Sequence, residues 1–408
     1  MHILIVHQAF ASLDEPGGTR HYEFARLLAQ RGHRVTVIAS PVSYITGAPS
    51  QPGVPSPSTG RDAAGIAILR APVYSAHHKS FVHRVIAFFS FMLSSFWMGL
   101  RVEHVDVVWG TSPPIFQGVT AWALARLKGA RFLFEVRDLW PQFAVAVGVL
   151  RSPLLIRASE WLERFLYRRA DRVIVNSPGF IAHVKARGAR DVELVPNSAD
   201  ASMFAPADGG NDFRAKNRLR DGFVAMYAGA HGMSNDLGVV LEAAALLKGR
   251  DIQIVLVGDG KDKPGLEQRA LEMGLQNVIF APPVPKREMP VALGAADACI
   301  AILKPLEEYK TTYPNKVFDY MAAGKPIVLA IDGVIRNVVE SAGCGIFVEP
   351  GDAHAMADAI CRLADDPEGS RQMGLKGRKY LEEHFSREKI GERLIEVLQQ
   401  LTVNKESA

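Results

Sequence analysis

Residues 1–39, MHILIVHQAFASLDEPGGTRHYEFARLLAQRGHRVTVIA, predict a strand, a glycine-containing turn, a helix and a second strand. The run His2–Val6 is apolar apart from His2, as in a parallel strand that is covered on both faces. Gly17-Gly18-Thr19-Arg20 forms the turn, a helix follows from about His21 to Gln30, and Val35–Ala39 returns as a strand. This order is typical of a doubly wound α/β sheet, which binds ligands beyond the carboxyl ends of its strands.

The first turn lacks the GxGxxG pattern of dinucleotide-binding folds, so it gives little support to a nicotinamide or flavin cofactor. Gly17 and Gly18 either let the backbone approach a phosphate or a sugar closely, or form an ordinary surface turn. Both interpretations stay open.

The same pattern begins again in the second half of the chain. Phe223–Tyr227 predicts a strand, Gly229-Ala230-His231-Gly232 a second glycine-containing turn, and Ile252–Val257 a strand that ends in Gly258-Asp259-Gly260. Two such series predict two similar Rossmann-like α/β domains that face one cleft. We place the domains at residues 1–205 and 206–385, followed by an amphipathic terminal helix within 386–408.

Composition limits the classes of function. The chain has 408 residues and a net charge of +4, a mild basic excess that suits phosphorylated ligands or an anionic membrane surface better than nucleic acid. Cys299, Cys344 and Cys361 lie far apart, so neither a zinc site nor a disulfide framework is predicted, and a cytoplasmic location is the simplest expectation. The N-terminal residues lack the features of a signal peptide.

Residues 85–100, VIAFFSFMLSSFWMGL, raise the question of membrane contact. The stretch is slightly short for a spanning helix and contains serines and a glycine, which favours a buried helix of an α/β domain. The alternative is peripheral docking on the inner face of the cytoplasmic membrane. In that case the preceding basic residues would face the lipid headgroups: His77, His78, Lys79, His83 and Arg84.

Residues 311–326, TTYPNKVFDYMAAGKP, predict a loop, a short helix and a strand. Pro314 suits a helix start, Gly324 suits its end, and Lys316 lies in the first turn, beside amides that have no partner within the helix. Such a helix start with a nearby cation favours an anion, most often a phosphate. Asp319 would project from the same face. The alternative is an ordinary helix in which Lys316 and Asp319 form a solvated ion pair.

Charged residues also follow a buried strand in the first half of the chain. Arg131–Val136 predicts the strand, and Arg137 and Asp138 come directly after it, on the side of the sheet where ligands bind. They are therefore candidates for contact with a substrate. The alternative is that the two side chains pair with each other and cap a helix.

Five motifs follow one another along the chain: VRDLWP (136–141), PNSAD (196–200), YAGAHG (227–232), GDG (258–260) and PNKVFDYMAAGKP (314–326). Taken in this order, they resemble family 4 of the nucleotide-sugar glycosyltransferases. VRDLWP and YAGAHG are closer to a subgroup that makes bacterial surface polysaccharides and is similar to fucosamine transferases. The resemblance implies the GT-B fold, in which two Rossmann-like domains face a cleft and the terminal helix crosses back to the N-terminal domain.

The resemblance also implies roles for individual residues. The carboxylate-pair signature of the family has its second position at Asp319, which would hold the ribose hydroxyls of the donor. Its first position is Thr311, which offers the donor sugar only a neutral hydrogen bond, so Glu307 or Glu308 would have to substitute for the usual carboxylate. The acceptor-side histidine of the family falls near Arg137, so Arg137 and Asp138 would contact the acceptor hydroxyl or the donor sugar.

The diphosphate would be held without the family's usual arginine and lysine, which have no counterpart within 230–237. Lys316, the amides of Gly229–Gly232 and Arg20 would replace them. The full set of candidate residues has two parts. The catalytic candidates are Arg137, Asp138 and Lys316. The donor-binding candidates are Gly17, Gly18, Arg20, Gly229, His231, Gly232, Gly258, Gly260, Thr311, Asn315, Lys316 and Asp319.

The implied reaction moves a sugar from a nucleotide sugar, with a uridine diphosphate as the expected carrier, to a glycan acceptor linked to polyprenyl diphosphate. The resemblance implies retention of configuration without an enzyme nucleophile, a metal or a cofactor. Two alternatives remain, namely epimerisation or hydrolysis of a nucleotide sugar on the same fold, and a non-catalytic module that only binds the nucleotide sugar.

Overall fold

The computed structural model describes residues 1–43, 47, 58–62, 64–74, 81–204 and 210–403, without the side chains of residues 58, 59, 61, 81, 82 and 84. The chain divides into two compact units. Unit 1 contains Met1–Pro196 and Glu388–Ala408, and unit 2 contains Asn197–Arg387. The predicted domain boundary at residue 205 lies outside the described residues.

Strands and helices alternate along most of the described ranges. The strands of unit 1 are β1 (His2–Val6), β2 (Arg34–Ala39), β3 (Ser58–Arg61), β4 (Ala67–Arg70), β5 (Val107–Ser112), β6 (Arg131–Val136), β7 (Arg172–Val175) and β8 (Val192–Leu194). The strands of unit 2 are β9 (Phe223–Ala228), β10 (Ile252–Val257), β11 (Val278–Ala281), β12 (Ala298–Ile302), β13 (Ile327–Ala330) and β14 (Gly345–Phe347). The α-helices are α1 (Arg20–Gln30), α2 (Phe81–Leu100), α3 (Phe116–Lys128), α4 (Gln142–Ala146), α5 (Pro153–Arg169), α6 (Ile181–Ala186), α7 (Gly210–Lys216), α8 (Leu237–Leu246), α9 (Lys263–Glu272), α10 (Met289–Gly294), α11 (Asn315–Ala322), α12 (Val334–Ala342), α13 (Ala353–Asp365), α14 (Pro367–His384) and α15 (Arg387–Val403).

Each unit is built on one sheet. Within the described residues, the strand order of unit 1 is β3-β4-β2-β1-β5-β6-β7-β8, and only the edge strand β3 runs antiparallel to its neighbour. The strand order of unit 2 is β11-β10-β9-β12-β13-β14, and all of its described pairs are parallel. The central strands are fully buried apolar runs, since helices cover both faces of a parallel sheet. The predicted α/β class with two parallel-sheet domains is confirmed.

The last helix, α15, completes the core of unit 1. Ile390, Leu394, Val397 and Leu398 are buried in the same cluster as residues of β1 and α1. A Cβ atom added to Gly391 would lie 1.9 Å from Leu27 Cδ2, so the glycine lets α15 approach α1 closely. The prediction that the terminal helix returns to the N-terminal domain is therefore confirmed.

Residues 85–100 belong to the helix α2, as predicted. Ala87, Phe91 and Ser95 of α2 are buried where the helix packs on α3 and β2, while the opposite face of the helix is open to solvent. No helix in the described part of the chain is long and apolar enough to cross a bilayer. Of the basic residues that were predicted to face a membrane, His77, His78 and Lys79 lie outside the described residues, as does the side chain of Arg84.

The packing of α15 gives a prediction about stability. Leu398→Ala removes a fully buried side chain, so we expect it to lower the free energy of unfolding by about 2–4 kcal/mol. Val403→Ala lies on the same helix at a position that is 62% exposed, and it should change that free energy by less than about 0.5 kcal/mol. Denaturant unfolding of the two variants checks this. Equal effects would mean that α15 does not contribute its buried face to the core.

Candidate functional site

Two glycine-containing turns of unit 2 pack backbone against backbone at the carboxyl ends of β9 and β10. A Cβ atom added to Gly258 would lie 1.9 Å from the carbonyl oxygen of Gly229, and one added to Gly260 would lie 2.3 Å from that of His231. The amide of Gly229 donates to Val257 O, and the amide of His231 donates to Asp259 O at 2.8 Å. Only glycine fits at residues 258 and 260, because the neighbouring turn occupies the space of a side chain. These two residues shape the first turn, so their predicted contact with a ligand is not needed to explain them.

This packing separates the amides of the first turn into two sets. The amides of Gly229 and His231 are used within the protein, whereas those of Ala230 and Gly232 donate to no group in the described ranges. The Cα of Gly232 also faces open space, since an added Cβ would meet nothing closer than Asn235 Nδ2 at 3.9 Å. Alternate amides left over in a turn form a concave site that favours an anion.

Lys316 brings a cation to this turn. Its helix α11 is fixed by the buried side chains of Phe318 and Tyr320, and the hydroxyl of Tyr320 accepts a hydrogen bond from the amide of Ala228 at 2.9 Å. Lys316 Nζ donates to Tyr227 Oη at 2.6 Å and to Asn235 Oδ1 at 3.2 Å, and it lies 3.8 Å from the centre of the Tyr227 ring. The Tyr227 hydroxyl donates in turn to Ala230 O at 2.7 Å. The cation is therefore connected directly to the glycine turn.

The partners of the Lys316 ammonium group in the described structure are uncharged. Loss of surrounding water lowers the pKa of Lys316 to about 7, and no carboxylate counters this effect. The alternative predicted from the sequence, an ion pair between Lys316 and Asp319, is wrong, because Asp319 pairs with Lys286 instead, at 2.5 Å. An anion that entered the turn would stabilise the charged form of Lys316.

His231 lies in the same turn with its side chain fully buried. Burial lowers the pKa of its imidazole to about 4, and Lys263 and Lys316 contribute to this shift, so the ring is neutral at pH 7. Neither ring nitrogen has a hydrogen-bond partner in the described part of the protein. A buried polar atom without a partner is costly, and such atoms occur at sites that bind a ligand. His231 thus adds an N–H donor to the group around Lys316.

The side chains of the remaining candidate residues of unit 2 are bonded within the protein or buried. Asp319, the predicted ribose ligand, holds Lys286, and the pair is mostly buried. Thr311 donates its hydroxyl to Glu308 O at 2.6 Å, and Glu307, one of its predicted substitutes, pairs with Lys310 on the surface. Asn315 begins α11, and its Oδ1 is buried without a hydrogen-bond partner in the described ranges.

In unit 1, a buried carboxylate organises the ends of the central strands. Glu135 accepts hydrogen bonds from Arg20 Nε at 2.8 Å, His21 Nε2 at 2.6 Å and Trp109 Nε1 at 3.1 Å. Burial would raise the pKa of Glu135, but His21 and Arg20 outweigh that effect and hold the pKa well below its usual range. The cluster keeps a full negative charge in the core because its partners supply donors from three sides.

Arg20 does not fit its predicted role as a ligand of a diphosphate. Besides the bond to Glu135, its two terminal nitrogens donate to Pro196 O at 2.7 Å and Val195 O at 2.6 Å. The guanidinium is therefore occupied, and it fixes the chain that follows β8. Gly17 and Gly18, which precede it, are exposed, and an added Cβ at Gly18 would meet nothing within 4 Å.

Arg137 and Asp138 follow β6 as predicted. Arg137 Nη2 donates to Pro113 O at 2.7 Å, and Arg137 makes no ion pair with Asp138 in the described structure, contrary to the alternative interpretation. Desolvation raises the pKa of Asp138 to about 6, against the opposing effect of Arg137. Its side chain is nevertheless accessible at the surface of unit 1. This pair can offer both a cation and a proton acceptor to a substrate.

Three polar residues beside this pair were missed when the sequence was considered alone. His7 follows β1, and its Nδ1 lies 2.8 Å from Thr111 Oγ1 at the end of β5. Gln117 Nε2 donates to Thr111 Oγ1 at 2.6 Å, and its Oε1 accepts from the amide of Gln8 at 2.8 Å. His7 and Thr111 lie just after or at the carboxyl end of a strand, which is the signal that singled out Arg137, whereas Gln117 lies in the first turn of α3.

Comparison with known families identifies the chain. A model of the glycosyl transferases group 1 matches residues 222–366, and a model of the glycosyl transferase 4-like domain matches residues 17–198. Together these matches cover most of both units. The chain belongs to this family of glycosyltransferases.

Two named proteins show how similar the chain is to its relatives. The glycosyltransferase is 24% identical over 360 residues to WcaI of Escherichia coli, whose name assigns it to colanic acid biosynthesis, with 83% of this chain and 86% of the relative covered. It is 25% identical over 284 residues to WbjE of Pseudomonas aeruginosa, which is named as a glycosyltransferase, with 67% and 71% covered. The narrower similarity to fucosamine transferases stays a prediction.

Solved structures support the fold. A sucrose-phosphate synthase from Thermosynechococcus elongatus has a TM-score of 0.79 at 20% identity, with 99% of each chain covered. WaaG, described as a glycosyltransferase involved in lipopolysaccharide biosynthesis, has a TM-score of 0.69 at 16% identity, with 98% of this chain and 99% of WaaG covered. HepE from Anabaena, solved in complex with UDP-glucose, has a TM-score of 0.71 at 16% identity, with 98% and 100% covered. The glycosyltransferase therefore has the GT-B architecture.

The packing of the two turns yields a prediction. Gly258→Ala forces a Cβ against the Gly229 carbonyl at a φ of +147°, so we expect a loss of about 2 kcal/mol or more in the free energy of unfolding. Gly18→Ala is the matched control, because the same atom meets open space there. Thermal unfolding of both variants checks this, and a Gly258 variant as stable as the parent would contradict the close packing of the two turns.

Proposed function

We propose that the protein is a retaining glycosyltransferase that moves a sugar from a nucleoside-diphosphate sugar, with UDP as the first carrier to test, to a lipid-linked glycan acceptor in bacterial surface polysaccharide synthesis. The observation that carries the proposal is the group around Lys316 in unit 2. There, a cation, two unused amides and an unpartnered neutral imidazole meet at the end of β9 within the described ranges. Such a group suits the diphosphate of a nucleotide sugar.

The departure of the nucleoside diphosphate from the sugar explains why these residues suit catalysis. When the bond from the sugar to the diphosphate breaks, negative charge grows on the departing phosphate oxygen. Donors fixed in advance stabilise this charge more strongly than they stabilise the intact donor. Lys316 is held by Tyr227 and Asn235, so it needs little rearrangement to act in this way.

The nucleoside and the sugar would be held by the neighbouring residues of unit 2. We assign the ribose hydroxyls to Asp319, which would share its carboxylate between the ribose and Lys286. Thr311 would give the sugar one neutral hydrogen bond once it turns from Glu308 O.

The acceptor would be handled by unit 1. Arg137 and Asp138 stand beside each other after β6, and Asp138 is exposed, which suits a carboxylate that accepts a proton from a sugar hydroxyl. The assignment to surface polysaccharide is supported by the names of WcaI and WaaG, which concern colanic acid and lipopolysaccharide. A cytoplasmic enzyme at the inner membrane face would meet a lipid-linked acceptor there.

Replacing Lys316 tests the assignment of the diphosphate site. Lys316→Ala should lower the rate of sugar transfer by about a hundredfold or more, because the departing phosphate loses its cation. Lys261→Ala removes an exposed lysine next to the second glycine turn of the same unit, and it should leave the rate unchanged. Single-turnover transfer assays with a panel of nucleotide sugars measure both. An unchanged rate in Lys316→Ala would refute the assignment.

The pKa of Lys316 also gives a pH dependence. Below pH 7 the free protein carries the ammonium that the diphosphate needs, and above pH 7 that proton is lost before the ligand binds. Binding of UDP should therefore weaken between pH 7 and pH 9, by at most about tenfold per pH unit, with uptake of a proton. In Lys316→Arg the charge persists, so the affinity should stay constant over this range. Calorimetry in buffers of different ionisation enthalpy measures the proton uptake.

The rate at which the nucleotide sugar is turned over, with and without an acceptor, distinguishes sugar transfer from the alternative functions. With the nucleotide sugar alone, a transferase should turn over slowly, and a lipid-linked acceptor should accelerate the release of nucleoside diphosphate. Rapid turnover of the donor without an acceptor would favour an epimerase or a hydrolase. Binding of UDP without any turnover, over a broad set of donors and acceptors, would favour a module that only binds the nucleotide sugar.

A further inference from the structure

The outer face of α2 in unit 1 is apolar and open to solvent. Ile86, Phe89, Leu93 and Trp97 recur at helical spacing on this face, and Trp97 is 64% exposed. The opposite face, with the buried residues Ala87, Phe91 and Ser95, packs on α3 and β2. Large apolar side chains that share one exposed face of a helix indicate a surface that contacts something else.

The apolar surface continues over α3 and α5, which lie on the same side of the sheet. Phe89 of α2 packs against Phe116 of α3, with 4.8 Å between the ring centres. On α3, Trp122 meets Phe165 of α5 edge to face, and Phe165 stacks on the exposed Trp161. We call this the aromatic face, and it consists of Ile86, Phe89, Leu93 and Trp97 of α2, Phe116 and Trp122 of α3, and Leu154, Leu155, Trp161 and Phe165 of α5.

The charges of the same helices are almost all positive. The sequences of α2 and α3 contain no Asp or Glu, and α5 contains only Glu160 and Glu163. Glu163 is fully buried, where it binds His183 and Arg187, and Glu160 pairs with Arg164. The exposed cations of the three helices include Arg126 of α3 and Arg157 of α5.

We infer that the aromatic face docks on the surface of a lipid bilayer that contains anionic headgroups. Exposed tryptophans and leucines beside arginines are the composition of a surface that enters the boundary between headgroups and acyl chains. The excess of cations, with both carboxylates of the three helices paired, complements an anionic lipid surface. This assigns the contact to three helices of unit 1, and it does not depend on the proposed transfer reaction.

Sedimentation of the full chain with lipid vesicles, in the absence of donor and acceptor, tests this inference. The protein should sediment with vesicles of phosphatidylglycerol and phosphatidylethanolamine, and more weakly with vesicles of phosphatidylcholine alone. The double variant Trp97→Ser/Trp161→Ser should bind at least about tenfold more weakly, because it loses the two largest exposed side chains of the face. Both residues are exposed, so the melting temperature should stay close to that of the parent.

Matched controls separate the apolar and the charged contributions. Leu246→Ser/Leu271→Ser removes two exposed leucines of unit 2 and should not change vesicle binding. Arg126→Ala/Arg157→Ala should remove most of the preference for phosphatidylglycerol, and the binding that remains should no longer weaken with added salt. These variants leave the candidate site in unit 2 intact.

Two outcomes would overturn the inference. In the first, the parent stays in the supernatant with both lipid compositions, or the tryptophan variant binds as tightly as the parent. In the second, sedimentation velocity shows that the parent self-associates and that the tryptophan variant is monomeric, while vesicles bind neither. The aromatic face would then be a contact between copies of the chain.

Discussion

The contact between two backbone turns in unit 2 is the constraint on which the candidate site depends. Gly258 and Gly260 bring the second turn against the first, and the resulting hydrogen bonds consume the amides of Gly229 and His231. The remaining amides and the His231 ring are thereby left for a ligand. Tyr227 then connects the Ala230 carbonyl to Lys316, so the position of the cation follows from the position of the turn.

In unit 1, the polar groups at the equivalent edge of the sheet are positioned by a different interaction. A single buried carboxylate, Glu135, collects donors from α1 and β5 and fixes the strand ends around it. Since Arg20 and His21 are engaged there, the residues that stay available are those just after the strands, Arg137 and Asp138. The two units therefore share a fold, but one positions its polar groups through backbone contact and the other through a buried charge.

Much of the fold could be predicted from the sequence, because apolar runs and glycine turns repeat in both halves of the chain. The helix around Lys316 was predicted for the same local reasons. The partners of its side chains were not, since Lys286, which holds Asp319, lies 33 residues away in the chain and no local pattern links the two. The motif with Gly258 and Gly260 was also interpreted as a ligand contact, whereas its glycines are explained by the approach of a distant turn. Long-range contacts of this kind follow only from the assembled sheet.

The division of the chain has a consequence for its synthesis on the ribosome. Unit 2 is continuous, but unit 1 takes its last core helix from the end of the chain. While the chain is being made, the apolar surface of β1 and α1 that α15 covers stays uncovered until unit 2 has emerged. All residues of unit 2 are therefore synthesised before the last core helix of unit 1, although unit 2 comes second along the chain.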